Sequence, residues 1–182
     1  MTTEQIVNRI LRLLGDDGSR FPITDVVLPE VNFAQKQVAQ TTGCLAQKTN
    51  ITGWTNANTY PSDYRIYQID KILIGSTNII PENFVDDSDS KYQLQGKSII
   101  IDPEPNFTDM VSLYIKCLPA DIVDIADPLE IPEQLGNALI YLAVSNLMAV
   151  DQNPYSNRYI QMYQGEIANY FPQSNTIFPW SE

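Results

Sequence analysis

The chain has 182 residues, enough to bury the core of one domain, and it contains no histidine and only two cysteines, Cys44 and Cys117. The missing histidine removes the usual general base and the commonest metal ligand, and two cysteines exclude a disulfide framework or a cysteine-rich zinc site. With 22 acidic and 11 basic residues the formal charge is −11, which argues against binding to phosphate backbones or anionic membranes.

The acidic excess is uneven along the chain. From residue 118 to the C-terminus Arg158 is the only basic residue, whereas eight residues are acidic. No apolar run approaches the roughly 20 residues that span a bilayer, and the N-terminus lacks the layout of a signal peptide. We therefore expect no membrane partner and no secretion.

Two helices are predicted in the first 47 residues. Thr2 or Thr3 can cap a helix with an apolar face, and Gly15 can end it in a turn. A second apolar periodicity predicts a helix over residues 24–42, which Gly43 can terminate.

Residues 48–117 change to strand and turn character. The run over residues 65–74 is the strongest strand, because it is rich in isoleucine and tyrosine. The polar run over residues 81–91 is typical of an exposed loop. The predicted strands cover residues 49–54, 65–74, 98–101 and 110–117.

Helical periodicity returns after Pro132, which suits the first turn of a helix. A broad apolar stripe then continues to Val150, and residues 151–154 break it. A tyrosine-rich helix is predicted over residues 155–171. The last residues, 172–182, show no periodicity.

This order of elements predicts an α+β fold. A four-helix bundle-like α domain would carry a small antiparallel β insertion between helices 2 and 3, followed by an extended C-terminal tail. The predicted boundaries are residues 1–47 for helices 1 and 2, 48–117 for the inserted β region, 118–171 for helices 3 and 4, and 172–182 for the tail.

Five short elements occur in a particular order. They are Leu13-Leu14-Gly15-Asp16, Val31-Asn32-Phe33-Ala34, Tyr60-Pro61-Ser62-Asp63-Tyr64, the Gly-x-Ser-Ile-x-Ile-x-Pro-x-Pro run over residues 96–105, and Leu118-Pro119 followed by Asp127-Pro128 and Ile131-Pro132. Each element alone is common turn or cap chemistry. In this order they resemble the head-to-tail adaptor (connector) proteins of tailed bacteriophages, over residues 2–171. Members often carry Tyr-Leu-Pro where Tyr60 here meets Pro61 directly.

The resemblance implies a structural virion protein rather than an enzyme, made in the host cytoplasm and located at the head-tail junction. Such proteins form a homo-oligomeric ring, usually of twelve copies, beneath the portal protein. The ring extends the DNA channel and provides a platform for tail, nozzle or stopper proteins. We expect genomic DNA to pass through without specific binding, because acidic surfaces repel phosphate.

Two groups of side chains are candidate binding sites. On a proline-flanked tail, apolar anchors can fill pockets on a neighbour, which predicts portal binding by Ile177, Phe178 and Trp180. Folding back onto their own domain is the alternative. Tyrosines at helical spacing on the last helix predict a subunit interface formed by Tyr155, Tyr159 and Tyr163. Ordinary core packing is the alternative for these residues.

The sequence predicts no catalytic residue, no metal ligand and no cofactor. The acidic segment over residues 86–89 lacks the downstream glycine and glutamate of a calcium loop, so a solvated loop tip is favoured. The aspartates that recur every three residues after the last strand are interpreted as caps and turn formers: Asp121, Asp124 and Asp127.

Three other functions stay open at this point. A tail accessory or carbohydrate-binding module is suggested by Trp54, the asparagine-rich loop that follows it, and Tyr64. A hydrolase that uses carboxylates is disfavoured by the missing histidine. A neighbouring stopper or tail-completion ring would share the assembly role but contact the tail instead of the portal.

Overall fold

The computed structural model describes residues 1–56, 65–81, 90–95 and 98–173. The chain divides into two compact units. The helical unit combines Met1–Leu45 with the chain from Leu118 onward, and the sheet unit is Ala46–Cys117.

The described residues of the helical unit form four α-helices and two short turns of other helix types. The helices are α1 (Thr3–Leu14), α2 (Leu28–Thr42), α3 (Gly136–Val150) and α4 (Ser156–Gln173). A π-helical turn at Ile23–Val27 precedes α2, and a 3₁₀ turn at Glu133–Leu135 precedes α3.

Local capping chemistry sets the ends of α1 and α2. Thr2 and Gln5 form a capping box at the start of α1, and Gly15 ends the helix with φ 67°. Gly43 ends α2 in the same left-handed conformation, with φ 63°. These ends confirm the predictions for α1 and for the end of α2. The start of α2 differs, because the chain passes through the π-helical turn before Leu28 without a side-chain cap.

The core of the helical unit is built around α3. Ten of its fifteen residues are buried, on all sides of the helix. The helix pairs in extensive contact are α3 with α4, α3 with α2 and α3 with α1. A helix that is apolar all round needs neighbours on every side, so three helices pack around one central helix. The predicted four-helix bundle is therefore wrong.

The described residues of the sheet unit form a mixed six-stranded sheet in the order β1-β6-β2-β3-β4-β5. Neighbouring strands are antiparallel except for the parallel pair β3 and β4. The strands are β1 (Ala46–Ile51), β2 (Ile66–Ile74), β3 (Thr77–Pro81), β4 (Lys91–Gln95), β5 (Ser98–Asp102) and β6 (Val111–Cys117).

The prediction of a small antiparallel insertion is also wrong, although the α+β class holds. Two strands, β3 and β4, were not predicted. A tight turn at Gly75, which has φ 60°, reverses the chain so that Ile74 pairs with Thr77. The short strand β3 is defined by this hairpin and by the burial of Ile79, which is only 3 % exposed. Its sequence does not alternate between apolar and polar residues.

Candidate interaction surfaces

The predicted portal-binding residues Ile177, Phe178 and Trp180 lie outside the described residues. The described chain ends with α4 at Gln173. Their role stays a prediction.

The three α4 tyrosines occupy different environments. Tyr155 is 62 % exposed. Tyr159 is half-buried, and its ring centroid lies 6.2 Å from that of Tyr141 on α3. Tyr163 is half-buried, and its hydroxyl lies 3.4 Å from the Thr41 hydroxyl oxygen on α2. Tyr159 and Tyr163 thus contact their own unit, whereas most of the Tyr155 side chain is exposed to solvent. The role of the three residues in a subunit interface stays a prediction.

An exposed apolar corner joins α3 to α4. Val150 is 81 % exposed and Tyr155 is 62 % exposed. The corner is fixed by backbone hydrogen bonds, because Asn153 donates its N–H to the Met148 carbonyl at 3.0 Å. The Asn153 side-chain oxygen accepts the Tyr155 N–H, also at 3.0 Å. The sequence singled out Tyr155 but missed Val150, which continues an otherwise buried stripe.

The acidic loop, defined here as residues 120–128, is bound to α2 by side chains. Asn32 donates its amide to the Ile122 carbonyl at 2.8 Å and accepts the Ile122 N–H at 2.7 Å. Gln35, which is only 1 % exposed, donates to the Ala120 carbonyl at 2.7 Å and to the Asn32 oxygen at 2.9 Å. These bonds replace a backbone ladder and give the loop a defined position on the helix.

The aspartates of the acidic loop have distinct partners. Asp127 accepts the N–H groups of Asp124 and Val123, both at 2.8 Å, and these bonds lower the pKa of its carboxyl. Asp124 accepts the Ala126 N–H at 2.8 Å. The prediction of turn formers is confirmed for these two residues. It is wrong for Asp121, whose carboxylate lies 2.5 Å from the Lys36 ammonium instead.

The loop also displays apolar side chains. Val123 is 78 % exposed and Ile125 is 36 % exposed. An exposed valine on a loop held by so many hydrogen bonds offers a partner apolar area at a small entropy cost. This surface was not predicted from the sequence, because both residues lie among the three regularly spaced aspartates of the loop.

Among the residues behind the carbohydrate-binding alternative, the structure describes Trp54 and Asn56, and Trp54 is buried rather than displayed on the surface. Trp54 is 5 % exposed, and its ring N–H donates to the Asn56 oxygen at 2.9 Å. Asn56 in turn pairs with the backbone of Ile101 on β5. A nearby cleft of about 430 Å³ is lined mainly by polar side chains, among them Gln93 and Asp102. Tyr64 and most of the asparagine-rich loop lie outside the described residues.

No group of three potential metal ligands occurs among the residues that the structure describes. The acidic segment over residues 86–89 lies outside them. Neither Cys44 nor Cys117 forms a disulfide within the described part of the chain, and burial raises the pKa of Cys44. Within the described part of the chain, none of the helices has the length and apolar character needed to cross a bilayer.

Comparison with known proteins gives one family. No curated protein matches the chain. A family model described as SU10 adaptor protein matches residues 1–177, so the match includes both units and reaches into the tail. The predicted resemblance to adaptor proteins is thereby confirmed at the level of the family. The chain belongs to the SU10 adaptor protein family.

Proposed function

We propose that this chain is a structural, non-enzymatic virion protein that joins the head of a tailed phage to its tail. About twelve copies form a ring beneath the portal protein, extend the DNA channel and provide the attachment platform for tail, nozzle or stopper proteins. The observation that carries this proposal is the match of the adaptor family model to residues 1–177.

The helical unit supports a role in protein assembly. Its central helix α3 is buried on all sides, which makes a rigid base. On that base the α3–α4 corner exposes Val150 and Tyr155, and the acidic loop exposes Val123. Of these side chains, Tyr155 is of a type that is enriched at the centre of protein interfaces, and the neighbouring Val150 extends its apolar area.

The C-terminal tail is proposed to bind the portal through Ile177, Phe178 and Trp180. The tail starts from α4, which packs along α3 and therefore gives it a fixed origin. Pro172 and Pro179 flank the three side chains, so the segment loses less conformational entropy on binding than a proline-free one.

The subunit interface is proposed to involve Tyr155, Tyr159 and Tyr163. Tyr155 offers the largest free area of the three. Tyr159 and Tyr163 contribute their remaining exposed edges and hold α4 on its own unit.

Charge supports passage of DNA without specific binding. The helical unit carries thirteen acidic and five basic residues, and the sheet unit nine and six. A wall with this excess of carboxylates has few sites at which phosphates can be retained.

The decisive experiment mixes the purified chain with the portal ring and examines the product by negative-stain electron microscopy and native mass spectrometry. We expect a second ring stacked coaxially on the portal. A variant that lacks residues 174–182 should fold but fail to stack, and the full-length variant with Ile177, Phe178 and Trp180 each replaced by serine should behave alike. Binding to tail proteins together with no binding to the portal would instead support a stopper ring.

A further inference from the structure

Two lysines flank one tyrosine ring on the sheet. Tyr114 on the central strand β6 is paired with Lys48 on β1 and with Lys71 on β2. Directly opposite residues on neighbouring strands point to the same face of a sheet. The Lys48 ammonium lies 5.2 Å from the ring centroid, and the Lys71 ammonium lies 5.9 Å from it. We call Lys48, Tyr114 and Lys71 the lysine row.

The positive charges of the lysine row are available to bind a partner. Lys116, the next lysine on that face of β6, is neutralised by Asp70 at 3.3 Å. Among the described residues, no carboxylate forms such an ion pair with Lys48 or Lys71, and both lysines are exposed. Tyr114 is only 8 % exposed beneath them.

The ring attracts each ammonium group but leaves its charge exposed to water. A pair of carboxylates bound across the row would form charge-assisted hydrogen bonds with both lysines. The row is therefore suited to an acidic segment of a protein.

We propose that the lysine row binds the acidic loop of a second copy of this chain. The inference rests on the proposed function, because it supplies a contact between neighbouring subunits of the ring. The loop presents the carboxylates of Asp121 and Asp124 on either side of exposed Val123; Asp124 is exposed, and Asp121 pairs with Lys36 of α2 yet keeps 60 % of its side chain exposed. Its attachment to α2 through Asn32 holds these groups in place.

Two further observations favour a second copy. The chain itself carries both complementary surfaces, a positive row on the sheet unit and a strongly acidic helical unit. A contact between two different surfaces of identical subunits is head-to-tail, which is the arrangement that closes a cyclic ring. The phosphate backbone of DNA is disfavoured as the occupant, because the whole chain carries a charge of −11.

The test uses charge reversal in two full-length variants. Lys48→Glu/Lys71→Glu makes the row negative, and Asp121→Lys/Asp124→Lys makes the loop positive. Each variant alone then places like charges at the contact and should self-associate at least tenfold more weakly than the wild-type chain in sedimentation equilibrium. An equimolar mixture should recover association, because alternating subunits restore opposite charges at every contact.

Controls separate this contact from general effects of charge. Arg12→Glu/Lys91→Glu changes the net charge by the same amount as the row variant but should leave self-association unchanged. Circular dichroism checks folding, and Asp121→Asn/Asp124→Asn provides a milder loop variant should the lysine variant unfold; it should weaken association in the same direction.

Several outcomes would overturn the inference. They are a wild-type chain that stays monomeric at every concentration, a mixture of folded variants that does not associate, and a row variant that loses salt-sensitive DNA binding while its self-association is unchanged. If both variants still stack on the portal as rings, this contact is wrong but the proposed function stands. If the mixture recovers association yet no ring stacks on the portal, the proposed function fails and this contact stands.

Discussion

Replacing Asn32 by alanine should release the acidic loop from α2 and destabilise the helical unit. The substitution removes the two bonds to Ile122 and the bond that Asn32 accepts from Gln35. Ile122 is 4 % exposed, so its N–H and C=O lose their partner in a buried position. At about 1 kcal/mol for each lost bond, we expect a loss of about 3 kcal/mol in the free energy of unfolding.

Asn32→Asp separates the hydrogen bond that Asn32 donates from those that it accepts. An aspartate still accepts the N–H groups of Ile122 and Gln35, but it cannot donate to the Ile122 carbonyl. With one of the three bonds lost, we therefore expect a loss of about 1 kcal/mol, roughly a third of that of the alanine variant.

Urea unfolding followed by circular dichroism at 222 nm measures these changes, because the signal reports mainly the helical unit. Asn157→Ala is the matched control, since Asn157 is exposed on α4 and its replacement should change stability by less than about 0.5 kcal/mol. An Asn32→Ala variant as stable as this control would show that the loop is held by other contacts.

Three further predictions concern stability. Burial raises the pKa of Glu30, so the contribution of this residue to the free energy of unfolding is favourable at low pH and is lost as the pH rises above the ordinary glutamate value of 4.5. Glu30→Gln should therefore flatten the dependence of stability on pH, measured in unfolding curves from pH 4 to 7. At pH 7 this variant should be at least as stable as the wild-type chain. Gly15→Ala should lower the free energy of unfolding by about 1 kcal/mol, because φ is 67° at this residue. Gly165→Ala within α4, where an added Cβ meets no neighbour, should instead raise it by up to about 1 kcal/mol. Equal effects of the two substitutions in thermal unfolding would refute the role of Gly15 as a helix end. Tyr159→Ala should lower the free energy of unfolding by about 2 kcal/mol, because Tyr159 packs on Tyr141. Tyr155→Ala should leave the free energy of unfolding nearly unchanged and weaken ring formation, measured by native mass spectrometry. An unfolded Tyr155 variant would instead assign that residue to the core.

The helices were the predictable part of the fold, because their signals are local. A capping box at Thr2 and left-handed glycines at residues 15 and 43 act within one turn of chain, so the sequence alone indicates them. The apolar character of α3 was equally visible. The central position of α3 could not be predicted. In the sequence alone, an apolar stripe that faces three neighbouring helices cannot be distinguished from one that faces the core of a four-helix bundle.

The sheet was underestimated because pairing is not local. The pair β3 and β4 is parallel and rests on two matched positions, Ile80 with Lys91 and Pro81 with Tyr92. β3 does not alternate between apolar and polar residues, and the alternation of β4 covers only five residues, so each strand depends on its neighbour for its structure. The lysine row was hidden for the same reason, since Lys48, Lys71 and Tyr114 meet only through the register of three strands.

The motif Val31-Asn32-Phe33-Ala34 shows how a family resemblance can be seen before its physical cause. Val31 and Ala34 are fully buried in the core, whereas Phe33 is 49 % exposed. Between them Asn32 pairs with Ile122, which lies 90 residues away in the chain. One turn of α2 therefore serves the core, the acidic loop and the surface. Only the core role follows from helical periodicity; the role of Asn32 follows from a loop that must satisfy its backbone without a strand or helix beside it. The acidic loop owes its position on α2, and the proposed ring contact its geometry, to Asn32 together with the neighbouring Gln35 and Lys36.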